Sequence, residues 1–213
     1  MLRPLPRLVP ADPGRPDLAD DRRPIREVTR QVAFEPGGWF PERAARVAAL
    51  FDDLAPGWNE RPSAGRFEAV DDALARGGPF PAGTSLEVGS GTGVVTSRLA
   101  EHLSPLVAVD LSAGMLAHAP TRTMRVRADA SALPVAAGTA AVVALVNMFL
   151  FPHEVARVLV PHGVLLWVNT LGDATPIHLS ASDVEAALPG GWDGVHSSAG
   201  WGTWAAFRRA SAP

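Results

Sequence analysis

Apolar residues recur at helical spacing early in the chain and gather into short unbroken runs later. Ala44, Val47, Ala48, Phe51 and Leu54 fall three and four apart, which predicts an amphipathic helix opened by Pro41 and stopped at Pro56-Gly57. Phe67, Val70 and Leu74 predict a second helix, capped by Ser63 and ended by Gly77-Gly78. Before Pro41 the chain is rich in Pro, Arg and Asp without a sustained period, and reads as an extended or partly disordered lead-in. From Ser85 the pattern changes. Ser85–Val88, Leu106–Val109, Met124–Ala128, Ala141–Val146 and Gly163–Asn169 read as strands, with helices through Leu99, from Ser112 and from Pro152. The continuous apolar run of Ala141–Val146 predicts a strand buried on both faces. Asp183–Leu188 reads as a brief helix, and Trp192 to Arg209 as two strands turning around Ala199–Gly202. Strand and helix alternating in this way predict an α/β fold, a parallel sheet covered by helices on both faces.

Composition narrows the function. At 213 residues, 47% hydrophobic and 19% charged, the chain suits one ordinary globular domain with a real core. A formal net charge of -3 argues against a basic surface for nucleic acid. All positive side chains are arginine, lysine and tyrosine are absent, and isoleucine occurs only at Ile25 and Ile177. That bias reads as a GC-rich, bacterial coding sequence and carries no functional weight. Without cysteine there are no disulfides, thiolate metal sites or cysteine nucleophiles. The start lacks the apolar core of a signal peptide, and the most apolar run, Ala140 to Phe151, is well short of the ~20 residues of a membrane span. The expectation is a cytoplasmic protein, monomer or homodimer, with no nucleic-acid, membrane or metal partner.

The strongest local signal is Leu86-Glu-Val-Gly-Ser-Gly-Thr-Gly-Val-Val95, where a strand ends, three glycines alternate and a helix begins. Glycines there let the backbone turn tightly and approach a ligand, and the helix start offers unpaired N–H groups. A dinucleotide loop needs its third glycine three places after the second; Val94 stands there, and the glycine comes one residue early at Gly93. Glu87 also opposes a pyrophosphate and suits a ligand bearing an ammonium and a sulfonium. Asp110, seventeen residues beyond Gly93 at the end of the next strand, can accept both hydroxyls of a ribose. Asp129, after the third strand, can accept from an adenine amino group while the N–H of Ala130 meets a ring nitrogen; it can equally cap a turn.

Four ordered blocks, Glu87-x-Gly-x-Gly-x-Gly, Asp110-Leu-Ser-x-x-Met115-Leu, Asp129-Ala-x-x-Leu-Pro134 and Arg157-Val-Leu-x-Pro-x-Gly163, resemble the class I S-adenosylmethionine-dependent methyltransferases. The likeness is greatest to the group holding quinone-biosynthesis C-methyltransferases and natural-product methyltransferases. It implies a Rossmann-like, doubly wound sheet of seven strands, the last antiparallel, in residues 81–213, with an N-terminal tail and helical lid in residues 1–80. It also implies S-adenosylmethionine as cofactor. The methionine end would lie on Glu87, Gly89, Ser90, Gly91 and Gly93, the ribose on Asp110, the adenine between Leu111 and Met115, its amino group on Asp129 and a ring nitrogen on the Ala130 N–H. Phe51-Asp-Asp-Leu-Ala-Pro-Gly-Trp58 stands in place of the family's aromatic-acid lid segment.

The acceptor side departs from the family. Ala140-Ala141 replaces the usual Phe-Asp pair, and Asn147-Met-Phe-Leu-Phe151 lacks the histidine of many relatives. Sites in open α/β sheets lie beyond the carboxyl ends of the strands, which brings Asn147, Phe149, His153, Asn169, Thr170 and His178 toward that edge. Asn147 is expected at the cofactor; Trp58, Phe149 and Asn169 are candidates for the acceptor. His153 and His178 are the candidate bases, should a proton need removing. The expected function is methyl transfer to a small-molecule acceptor. A non-catalytic cofactor-binding partner protein is the alternative, and an NAD(P)-dependent oxidoreductase or nucleic-acid methylation comes after it.

Overall fold

The computed structural model of the chain describes residues 2–14, 23–60, 67–120 and 122–210. In chain order the elements are β1 (Leu2–Pro4), α1 (Arg23–Phe34), α2 (Pro41–Leu54), α3 (Glu68–Arg76), β2 (Ser85–Val88), α4 (Thr96–His102), β3 (Leu106–Asp110) and α5 (Ala113–His118). They continue with β4 (Met124–Arg127), β5 (Ala140–Val146), α6 (Pro152–Val158), β6 (Leu159–Asn169), α7 (Ala181–Ala187), β7 (Trp192–Ala199) and β8 (Gly202–Arg209). All strands join one sheet in the order β1-β7-β8-β6-β5-β2-β3-β4. Only β8 runs against its neighbours, pairing antiparallel with both β6 and β7. From β2 the chain winds outward through β3 and β4, then crosses back to β5 on the other side of β2. That reversal opens a crevice beyond the carboxyl ends of β2 and β5, where such sheets bind ligands.

The pleat sends alternate residues to two cores. On β6, Leu165 and Trp167 join Val143, Phe149 and Phe207 on one face, while Val164, Leu166 and Val168 join Val70, Leu74 and Leu99 on the other. Residues Val142, Val143 and Ala144 of β5 are fully buried, as its unbroken apolar run predicts.

The lead-in is more structured than its composition predicts. Leu2–Pro4 is an eighth strand lying parallel to β7; β7 is otherwise an edge, and three extended residues satisfy its unpaired backbone groups. Arg23–Phe34 is a helix whose Ile25, Val28, Val32 and Ala33 pack on the first core, a short apolar stripe diluted by arginines. The proposed Ser63 cap lies outside the described residues, and α3 begins at Glu68. Among the described residues no helix is long and apolar enough to cross a membrane.

One polar knot ties the N-terminal segment to the sheet. Buried Asp72 of α3 accepts from Arg76 at 2.7 and 2.5 Å and from the indole N–H of Trp204 at 2.7 Å. Arg76 also donates to Ser197 Oγ and to the Pro6 carbonyl, each at 3.0 Å. Removing one partner of a buried ion pair strands the other. Asp72→Ala is therefore expected to cost about 3 kcal/mol in urea unfolding, and Trp204→Phe, which loses one N–H donor, only about 1 kcal/mol.

Candidate active site

The loop after β2 is shaped by its glycines and anchored by β3. The N–H groups of Gly89 and Ser90 donate to the Val109 carbonyl at 2.8 and 3.1 Å. Gly91 adopts φ +56°, and a Cβ there would meet nothing nearer than Met115 Sδ at 3.9 Å, so it would project into open space. Gly93 differs: at φ +78° a Cβ would lie 2.7 Å from Pro120 Cδ, so this glycine serves the turn and its packing, off the cavity wall.

Asp110, half-buried at the end of β3, holds the loop from below. One oxygen accepts from Gly91 N–H at 2.7 Å and the other from Ser112 N–H at 2.8 Å. Burial still raises its carboxyl above the ordinary aspartate range, against the pull of those N–H groups, and the charge of Asp52 adds to the rise. Glu87 is only 1% exposed. Its Oε2 accepts from Thr96 Oγ1 at 2.6 Å, and burial pushes its carboxyl up to about 8, with the nearby Asp110 charge contributing and the Thr96 bond opposing. The hydroxyl of Ser90, buried beside them, has no hydrogen-bond partner among the described residues. Two acids on a cavity wall, an orphaned hydroxyl and a Cβ-free approach at Gly91 are what a polar, partly cationic ligand such as S-adenosylmethionine requires.

Further along the edge, Asp129 accepts from the indole N–H of Trp39 at 2.9 and 3.0 Å, and its Oδ1 also takes the N–H of Ser131 at 2.8 Å. It therefore shapes a turn as well as facing the cavity. Arg157 and Glu154 of α6 brace this loop: the arginine donates to the Val135 and Leu133 carbonyls at 2.9 and 3.1 Å, and Glu154 accepts from Leu133 N–H at 2.5 Å. Leu111, Met115, Asp129 and Ala130 all line the same cavity as Glu87, Gly89, Ser90, Gly91 and Asp110.

Helix α2 and the turn after it close one side. Phe51 and Trp58 line the cavity with ring centres 5.7 Å apart. Asp52 Oδ1 accepts from Ser112 Oγ at 2.5 Å and from Gly114 N–H at 2.8 Å, and these bonds hold its carboxyl below the usual range. Thr92 Oγ1 of the glycine loop donates to Asn59 Oδ1 at 2.6 Å. Sequence reasoning missed Trp39, Asp52 and Asn59 as individual contacts, although the segment Phe51 to Trp58 pointed to the lid.

On the far side, Asn147 sits at φ +53° just past β5. Its amide donates to Thr170 Oγ1 and accepts from Thr170 N–H, both at 2.8 Å, clasping the ends of β5 and β6. Phe149 lines the cavity and packs against Trp39, which also meets Phe151 edge-on at 5.3 Å. The whole cavity is about 660 Å³. Asn169 is buried behind its wall, donating to the Leu179 carbonyl at 2.9 Å. His153 is exposed at the start of α6 and is not on the wall. His178 is half-buried, also off the wall; burial lowers its imidazole, and Arg26 lowers it further against Asp173 and Asp183. Neither histidine joins the cavity.

Residues 86–167 match the family model of a methyltransferase domain. The search of curated proteins returns no match. Among solved structures, the DhpI–SAH complex is 19% identical over 78% of this chain and 96% of that one, with a TM-score of 0.61. A SAM-dependent methyltransferase from Thermotoga maritima is 14% identical over 76% and 99%, at 0.60; one from Aquifex aeolicus is 16% identical over 76% and 97%, at 0.58. Against three other matched chains it spans 59%, 48% and 50% of their length. The methyltransferase-domain match over residues 86–167 and the shared fold support a class I S-adenosylmethionine-dependent methyltransferase, with S-adenosylmethionine as cofactor.

Proposed function

We propose that the chain moves a methyl group from S-adenosylmethionine to a small molecule held beyond the ends of β5 and β6. The observation that carries this reading is a single cavity of about 660 Å³ that has Glu87, Ser90 and Asp110 on one side and an apolar wall on the other. Ligand pockets begin at about 300 Å³, so it has room for two small molecules side by side. In this reading Glu87, Gly89, Ser90 and Gly91 hold the methionine end and Asp110 the ribose. Leu111 and Met115 flank the adenine, Asp129 and Ala130 meet its amino edge, and Asn147 supports the junction of the two halves. Trp58 and Phe149 wall the acceptor.

The cofactor supplies a methyl group on a sulfonium, which a nucleophile displaces directly. The chain's own contribution is alignment and exclusion of water. Asp52 and Asn59 bring α2 and its turn down over the loop and α5, so the lid encloses both ligands. That no histidine lies on the wall among the described residues also fits the alternative of a non-catalytic cofactor-binding partner. Transfer to an acceptor distinguishes the two.

Calorimetry with S-adenosylmethionine and S-adenosylhomocysteine is expected to show one site for each. Asp110→Ala should weaken binding by about 1.5–3 kcal/mol, the worth of hydrogen bonds to a charged group, and Asp110→Ala with Glu87→Ala should abolish it. Undiminished binding in the double variant would contradict the assignment.

The raised carboxyl of Glu87 gives two pH effects of defined sign. Between the ordinary glutamate value of 4.5 and about 8 the folded chain holds a proton that the unfolded chain has lost, so the ligand-free protein should lose stability as pH rises through that window. Urea titrations at pH 5 and 8 check this, and Glu87→Gln should flatten the difference. A bound ammonium favours the carboxylate, so below pH 8 cofactor binding should release a proton, read by calorimetry in buffers of different ionisation enthalpy. Glu87→Gln should remove that release.

A further inference from the structure

The two halves of the cavity differ in charge. Among the described residues its charged wall groups are Glu87, Asp110 and Asp129, and all three stand at the ends of β2, β3 and β4, the half assigned to the cofactor. Beyond β5 and β6 the wall is made by Met148, Phe149, Leu171, Pro176 and Ile177. The polar groups among them are engaged. Asn147 and Thr170 satisfy each other at 2.8 Å, and Thr175 Oγ1 accepts from Leu171 N–H at 3.1 Å. Among the described residues no arginine or histidine lines this wall, and the chain contains no lysine. Arg26, next to the wall residue Ile25, donates instead to the Asp173 carbonyl.

This chemistry selects among acceptors. An alcohol or phenol needs a base to take its proton as it is methylated, and this half of the wall offers none. A carboxylate or thiolate needs a counter-charge on leaving water for an apolar wall, and among the described residues this wall supplies none. A weakly basic aromatic nitrogen escapes both demands, because it is neutral with its lone pair free near pH 7.

We propose that the acceptor is an uncharged, largely apolar aromatic compound methylated on a weakly basic nitrogen. This rests on reading the cavity as a joint cofactor and acceptor site. The nitrogen lone pair forms the new N–C bond as the C–S bond breaks, its electron pair going to sulfur. The positive charge passes from sulfur to nitrogen, so the net charge in the cavity is unchanged and no base is called for. The aromatic faces of Phe51, Trp58 and Phe149 on the cavity wall suit the cation that forms. Where the ring carries an N–H, its proton leaves to water with the released product.

Three bicyclic probes of similar size test this: isoquinoline, 2-naphthol and 2-naphthoate at pH 7.5. Tryptophan fluorescence and calorimetry follow their binding, both with and without saturating S-adenosylhomocysteine. Isoquinoline is expected to bind at least about tenfold more tightly than 2-naphthoate, whose charge the wall does not match. Val47→Arg, which adds the cation that the wall lacks, should narrow or reverse that preference. With S-adenosylmethionine present, mass spectrometry should find N-methylisoquinolinium and no methoxynaphthalene. Equal or tighter binding of naphthoate to the unaltered protein, formation of the methyl ether, or binding of none of the three would each overturn the proposal. S-adenosylhomocysteine is titrated alone beforehand; its failure to bind would refute the cofactor reading, while the probe preference without it still judges the acceptor wall.

Discussion

The carboxylate of Asp110 organises the carboxyl edge of this sheet. It stands at the end of β3 and takes one N–H from the glycine loop, at Gly91, and one from the start of α5, at Ser112. Ser112 in turn caps α5 through Met115 N–H and donates its hydroxyl to Asp52 of the lid. One acid thus couples three segments distant in sequence, the glycine loop, the start of α5 and the end of α2. A carboxylate offers about four acceptor sites. Two are used within the protein, leaving capacity toward the cavity.

The crevice is electrically divided along the line where the strand order reverses. Acids gather on the β2, β3 and β4 side, where burial raises both Glu87 and Asp110. A cationic ligand relieves that cost, because it favours the ionised forms that burial opposes. The β5 and β6 side is apolar and aromatic, with its strand ends joined by the Asn147–Thr170 clasp. Trp39 links the two sides. Its indole N–H occupies Asp129 while its ring packs on Phe149 and Phe151, so the acidic edge and the aromatic wall share one side chain.

Most of the sheet was legible in the sequence, because each strand and each glycine-loop feature is a local pattern. The acid before the loop, the early third glycine and the acids after the next two strands all lie at short spacings, and together they identified the cofactor class. What escaped is long-range. Trp39 and Asp129 are 90 positions apart, and Asp52 and Ser112 are 60 apart; no window of periodicity connects them. The strand Leu2–Pro4 was hidden because its partner lies about 190 residues away and three residues carry no pattern. His153 and His178 were candidates by chain position at the strand ends, yet one is exposed and the other is half-buried off the cavity wall. Proximity to the edge does not fix which way a side chain turns.

On the proposed reading Asp110 holds the ribose of the cofactor while also ordering the loop. A crystal structure with S-adenosylhomocysteine bound tests it most directly. The account predicts both ribose hydroxyls on the Asp110 carboxylate with the Gly91 N–H bond retained, and the adenine between Leu111 and Met115. A ribose held elsewhere, with Asp110 touching only the backbone, would contradict it.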